Sequence, residues 1–188
     1  MPKIVNSEQY RRELLHKSFE LFARKGYASV TTRQLAQELG VSTGTLYHYF
    51  PSKAVLFQQL VEDLMQQDFL MAAAELEGAE TFTERLEAMK QFLVKNENHL
   101  IKQVLIWVDF CQHQSQHEMQ NSEFFQEIYE RYQQAIGNLL GISEPKIIWF
   151  VICLIEGIIL ERLCGNQKVS LAEQIDLLVD VLPHLKVG

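Results

Sequence analysis

A chain of 188 residues with 47% hydrophobic and 22% charged residues has a globular composition, and it is long enough to bury a sizeable core in one domain or two. Its formal charge of −7 argues against a nucleic-acid partner only as an average: residues 1–60 hold eight Lys/Arg against four acids, net +4, and the remainder nine against twenty, net −11. The longest apolar run, 147–155, is far short of the ~20 residues that span a bilayer, and Cys111, Cys153 and Cys164, odd in number and without a C-x-x-C pair or a signal-peptide pattern, predict reduced thiols in a cytoplasmic protein with no membrane partner.

Residues 2–7 are expected to be disordered or a short arm. A helix over 8–25 follows from Leu15, Phe19 and Phe22 at helical spacing, with Leu14 and Leu21 widening the stripe; Gly26 ends it and 27–30 connect it onward. Thr31 followed three residues later by Gln34 is a capping box, so a helix begins near Thr32, with Leu35, Ala36 and Leu39 on its apolar face. Gly40 stands where the chain must leave that helix with positive φ, and Val41 plugs the turn. Ser42 caps a second helix over 43–50 whose inward side is Leu46, Tyr49 and Phe50; Pro51 stops it and Ser52 caps the next. Ala36 is small where the two helices cross. This is helix-turn-helix architecture.

With Leu46, Tyr49 and Phe50 inward, Thr43, Gly44, Thr45, Tyr47 and His48 face outward. None is acidic, all but Gly44 can hydrogen-bond a phosphate or a base edge, and Gly44 lets the backbone approach DNA closely. Lys53 lies in the first turn of the following helix, where charge and free N–H groups both favour a phosphate.

The run TTRQLAQELGVSTGTLYHYFPSK (31–53) resembles the DNA-binding signature of the TetR family of transcriptional regulators, and the resemblance covers roughly residues 8–60. It implies that Thr43, Gly44, Thr45 and Tyr47 face bases or nearby phosphates, and that Tyr47, His48 and Lys53 grip the backbone. Thr32 and Arg33 would reach it from the preceding helix, with Ser42 at the cap counted in the same DNA-binding set. One departure is Val55, where many members carry Glu, which weakens the cap of the fourth helix without touching the DNA face.

Beyond the head the pattern stays helical. A helix over 52–76 carries Val55, Leu56, Leu60, Leu64 and Met71; a second capping box, Thr81 with Glu84, opens one to about 95 through Leu86, Met89, Phe92 and Leu93. Further helices are expected over 99–118, turning polar after Gln112, and from 121 to about 136, loosened at 137–141. Pro145 fits the first turn of a helix to about 163, apolar all round apart from Glu156, and the last, 170 to about 185, places Leu171, Ile175, Leu178 and Leu182 on one stripe before Pro183 ends it. The expected fold is all-α, about nine helices in total: an N-terminal three-helix DNA-binding domain (1–51) and a C-terminal helical ligand-binding and dimerisation domain (52–188).

Asp109, His113 and His117 at i, i+4 and i+8 offer a metal-ligand face, although a Gln-rich helix end usually carries surface histidines. Glu156 admits three readings: a subunit-interface hydrogen bond, a polar anchor in a pocket, or an edge position reaching solvent. An enzyme finds no Ser/His/Asp order, phosphate loop or paired carboxylates, and no cofactor is implied; a metal-dependent helical enzyme and a protein-interaction module remain the alternatives. Segment 81–132 is rich in aromatics and poor in inward charge, so a cavity there is expected to be mainly apolar and to take a small hydrophobic or aromatic effector. Its candidate walls are Trp107, Phe110, Cys111, Phe125, Tyr129 and Trp149, with Gln103 or Glu156 as the polar contact. The expected function is a regulator, in this family most often a repressor, that binds a palindromic operator on double-stranded DNA as a homodimer built from the last two helices.

Overall fold

Capping residues set where the helices begin. The computed structural model describes residues 7–182, which form α1 (Ser7–Lys25), α2 (Thr32–Leu39), α3 (Thr43–Tyr49), α4 (Lys53–Glu75), α5 (Phe82–Lys95), α6 (Glu97–Gln112), α7 (Gln116–Asn121), α8 (Glu123–Leu140), α9 (Pro145–Leu163) and α10 (Leu171–Val181). Among the described residues there is no strand. The arm expected over 2–7 lies outside them apart from Ser7, which already belongs to α1, and so does the helix end expected at Pro183. Both expected capping boxes, at Thr31 and Thr81, are complete, and Ser52 accepts the Val55 N–H at 3.1 Å although Val55 cannot reciprocate as Glu would.

The helix expected to run to residue 118 instead stops at Gln112, and Ser115 forms a third capping box with Glu118 that starts α7; this split makes ten helices among the described residues rather than about nine. Its signal, Ser-x-x-Glu inside the polar stretch, was legible in the sequence. The loosening expected at 137–141 is confined to its end: α8 continues through Gly137 to Leu140. A Cβ on Gly137 would stand 2.9 Å from Ile148 Cδ1 and 3.0 Å from the Ile142 carbonyl oxygen, so this glycine lets α8 and α9 approach closely.

Two apolar clusters organise the chain. The first gathers Leu14, Phe19 and Phe22 of α1 with Leu35, Leu46 and Phe50 of the helix-turn-helix, and extends through Leu56, Phe57, Leu60 and Leu64 of α4 to Phe110 and Phe125. The second joins Ala72 and Leu76 to α5, α8, α9 and α10. Helix α4 therefore contributes to both, its first half to the head and its last turn to the body. On α9, Val151, Ile152, Ile155, Ile158 and Ile159 are buried within the protomer, whereas Phe150 (47% exposed) and Leu160 (45%) are not, nor are Leu177 (57%) and Val181 (48%) on α10.

Candidate nucleic-acid interface and effector cavity

The turn before α3 is fixed by backbone chemistry. Gly40 sits at φ 72°, ψ 30°, its N–H donating to Gln37 O at 3.1 Å, while the Val41 N–H donates to Ala36 O at 3.0 Å. This paired termination needs a left-handed residue, which glycine supplies without strain. Ser42 then caps α3, accepting the Thr45 N–H at 2.9 Å, and its hydroxyl meets the Thr45 hydroxyl at 2.8 Å. The cap bond holds the Thr45 side chain half-buried, while Ser42, Thr43, Gly44, Tyr47 and His48 are exposed. Tyr47 is 52% exposed; Leu46 and Phe50 are buried to 1% and anchor the helix from beneath. Tyr49 is half-buried against Tyr10, ring centres 5.6 Å apart, and His48 packs on Tyr49 at 5.2 Å.

At the start of α2, Thr32 is half-buried and Arg33 exposed, and among the described residues Arg33 makes no ion pair. The one acid of α2, Glu38, is neutralised by Lys25 at 2.6 Å and Arg24 at 3.3 Å, and the Lys25 contact holds its carboxyl below the usual range. Lys53 is placed differently from expectation. Its Nζ donates to Tyr27 O at 3.0 Å and Val30 O at 2.9 Å and lies 4.2 Å from the centre of the Tyr27 ring. Burial pulls its pKa down, with Asp109 opposing the shift. The ammonium stitches the α1–α2 connector to α4 rather than projecting toward solvent.

In the body, a cavity of about 190 Å³ opens between α4, α5, α6, α8 and α9. Of the expected wall residues, Gln103, Trp107, Tyr129 and Glu156 line it. Phe110, Cys111, Phe125 and Trp149 do not. Phe110, one turn beyond Ile106, points into the head cluster and stacks on Phe57 with centres 4.2 Å apart; Phe125 is buried between Trp107 and Phe110. Cys111 packs against the same cluster, its thiol pushed up to about 11 by burial. Trp149 abuts Tyr129 from outside, at 6.1 Å. Aromatic spacing marked these residues as inward without saying toward which of two cores.

The wall also contains residues that aromatic spacing missed, chiefly Asp68 and Phe69 of α4 and Tyr132 of α8. Asp68 falls on the stripe Leu64, Asp68, Ala72, one residue per turn between two buried neighbours, and that pattern could have exposed it. Gln103 Nε2 donates to Asp68 Oδ2 at 2.7 Å, while Asp68 Oδ1 is buried with no hydrogen bond. Glu156 is exposed on the protomer surface and borders the cavity on its other side, where partial desolvation of the carboxyl raises its pKa. Burial, with Glu156 and then Asp68 adding to it, pushes Tyr132 well above its ordinary range.

The metal face proposed for Asp109, His113 and His117 does not assemble as spaced. The helix ends at Gln112, His117 belongs to α7, and Asp109 Oδ2 accepts the Ala28 N–H at 3.1 Å. Among the described residues no group of three metal-binding side chains comes together, and no helix is long and apolar enough to cross a membrane.

The sequence model for bacterial regulatory proteins of the tetR family matches residues 14–60. The chain is 34% identical over 85 residues to the nucleoid occlusion factor SlmA of Aliivibrio fischeri, covering 45% of this chain and 43% of that protein. It is 30% identical over 108 residues to the HTH-type transcriptional repressor KstR2 of Mycobacterium tuberculosis, covering 57% and 53%. Its matches thus span about half the length of these curated relatives. Over nearly the whole chain the fold matches a transcriptional regulator from Saccharomonospora viridis solved with choline (TM-score 0.74, 22% identity, 97% of this chain and 100% of that one). It also matches FadR of Bacillus subtilis solved with stearoyl-CoA (TM-score 0.70, 19% identity, 91% and 96%).

Proposed function

We propose that this chain, whose residues 14–60 match the tetR family of bacterial regulatory proteins, is a DNA-binding transcriptional regulator of that family: an effector-controlled repressor acting as a homodimer on a palindromic operator. The carrying observation is the exposed face of α3: Thr43, Gly44, Tyr47 and His48, with no acid, held by the Ser42 cap and the Gly40 turn. A short helix anchored on one side by Leu46 and bare on the other is shaped to enter a major groove. Two symmetry-related copies need half-sites about one helical turn, ~34–36 Å, apart.

The dimer reading rests on Phe150, Leu160, Leu177 and Val181, which remain exposed on α9 and α10 and would be covered by the same helices of a second copy in a four-helix bundle. The effector reading rests on the cavity, whose wall is mainly aliphatic and aromatic. That two regulators of this fold were solved with choline and stearoyl-CoA supports a small molecule in the body. Helix α4 lines the cavity with Asp68 and Phe69 and packs Leu56 and Phe57 into the head, so a ligand that displaces α4 would shift the heads out of register with the grooves. A tenfold loss of operator occupancy requires the ligand to prefer the non-binding state by only ~1.4 kcal/mol.

The test is a salt-dependent binding assay against selected palindromic and random duplexes. Tyr47→Ala should weaken binding to both, and Thr43→Ala should change sequence preference. Equal affinity for palindromic and random DNA at physiological salt would overturn the reading.

A further inference from the structure

We propose that the effector is an amphipathic protonated amine carrying at least one N–H, seated with its nitrogen on Asp68 and its hydrocarbon body along the apolar wall. The inference rests on the effector reading above and adds the chemical class. Two carboxylates, Asp68 and Glu156, belong to the cavity wall, and no Lys, Arg or His does. A fatty acid or other anion would bring a further acidic group beside these two and meet no cation in the wall.

Asp68 supplies the specific contact. One of its oxygens is satisfied by Gln103 at 2.7 Å; the other, Oδ1, is buried and has no hydrogen-bond partner. A buried acceptor without a donor is costly, and the cost is relieved by a ligand that brings one. His99 Nε2 lies 3.6 Å from Oδ1, too far for a hydrogen bond. The same His99 nitrogen is 2.9 Å from Gln103 Nε2, the amide nitrogen that donates to Asp68. An amide NH2 has two protons and no acceptor capacity, so His99 Nε2 accepts one of them and offers no proton to Oδ1. Asp68 Oδ1 is therefore left without a donor from either Gln103 or His99.

An ammonium group supplies the missing donor to Oδ1 and a positive charge in a wall that holds two acidic residues and no basic one. Trp107, Tyr129 and Tyr132 share the cavity wall and present aromatic surface that favours a cation over an anion. A quaternary ammonium would bring the charge but no N–H and leave Oδ1 unsatisfied; an alcohol would bring a donor without the charge.

The experiment compares four eight-carbon probes on the full-length protein by calorimetry and by release of bound operator: octylamine, octyltrimethylammonium, octanol and octanoate. Octylamine is protonated at neutral pH, as a Lys side chain is. It is expected to bind at least about tenfold more tightly than octanol and octyltrimethylammonium, with octanoate weakest. Asp68→Asn, which keeps the shape and removes the charge, should abolish the octylamine advantage and leave octanol unchanged. Equal or tighter binding of any other probe on the unmodified protein overturns the amine assignment even if Asp68→Asn fails to fold, and so does an advantage that survives in a folded Asp68→Asn. If octanol or octanoate releases operator and octylamine does not, the effector reading stands and the amine fails. If none of the four binds, the effector cavity fails with it.

Discussion

The carboxylate of Asp109 accepts the backbone N–H of Ala28 across 3.1 Å, joining the last turn of α6 to the connector that leads into α2. The same helix carries Gln103 and Trp107 on the cavity wall. Next to this bond Tyr27 meets Phe110 edge-on at 5.0 Å, so head and body share an interface with a polar and an aromatic part. Asp109→Ala should lower stability by ~1 kcal/mol through the lost hydrogen bond to Ala28, whereas Asp109→Asn, whose amide oxygen still accepts, should lose less. Urea unfolding of both variants beside the parent checks the order.

Lys53 and Arg33 should separate in a salt titration. The Lys53 ammonium is held by two carbonyls and the Tyr27 ring, so Lys53→Met removes donors that the fold itself uses. It should destabilise the head and change the salt slope of operator binding by less than one unit. Arg33→Ala, at an exposed side chain, should leave stability intact and reduce the slope by about one unit if it contacts phosphate. A Lys53 slope change larger than that of Arg33 would mean that the ammonium leaves its carbonyls when DNA binds.

Gly44 and Gly40 make an internal comparison. A Cβ at Gly44 would meet only Ser42 Oγ, at 3.7 Å, and φ there is not positive; alanine also favours helix by ~1 kcal/mol. Gly44→Ala should fold as well as the parent or better, yet bind operator more weakly if DNA approaches that backbone. Gly40→Ala, at φ 72°, should lose ~1–2 kcal/mol of stability although nothing lies within 4 Å of its Cβ. Paired melting and operator-binding measurements distinguish the two. Unchanged operator affinity in Gly44→Ala would remove the close-approach role.

The head was legible because its signals are local. Thr31 with Gln34, Gly40, Ser42 and Ser52 each act within a few residues, and each fixes a boundary that no distant contact overrides. The cavity was only half legible because its wall is assembled from five helices, and periodicity says that a residue points inward without saying to which core. Phe110 and Gln103 lie on one helix at positions seven apart, yet one closes the head and the other meets Asp68. The role of Lys53 was hidden for the same reason: its partners, Tyr27 and Val30, lie in a connector whose path only the folded chain defines.

Glu156 gives a pH dependence with a defined sign. Partial desolvation raises its folded-state pKa above the ordinary 4.5, so folding makes this acid harder to ionise. That contribution is fully present below the unfolded value and is lost as pH rises through the folded one. Glu156→Gln cannot ionise, so it should be more stable than the parent at pH 7 and indistinguishable from it near pH 4. Denaturant midpoints at the two pH values check this, and a variant less stable at pH 7 would show that the folded protein stabilises the carboxylate.

The dimer is tested by two adjacent leucines on α10. Leu178 is 4% exposed and belongs to the protomer's own second cluster, as does Leu182 at 0%; Leu177 is 57% exposed. An aspartate at Leu178 would bury a charge among Ile175, Leu171 and α9, at a cost comparable to the whole stability of a small domain, so Leu178→Asp should yield unfolded or insoluble chain whatever the oligomeric state. Leu177→Asp replaces a side chain that is mostly exposed on the protomer. If the exposed faces of α9 and α10 meet a second copy, it places two charges in a desolvated apolar interface and should give a folded monomer. Palindromic operator binding should then fall by several orders of magnitude, because two half-site contacts no longer act together. Sedimentation velocity, circular dichroism and operator binding on the same preparation read the three consequences. A parent protein that is monomeric at micromolar concentration, or a Leu177→Asp protein that stays dimeric with full operator affinity, would place the interface elsewhere.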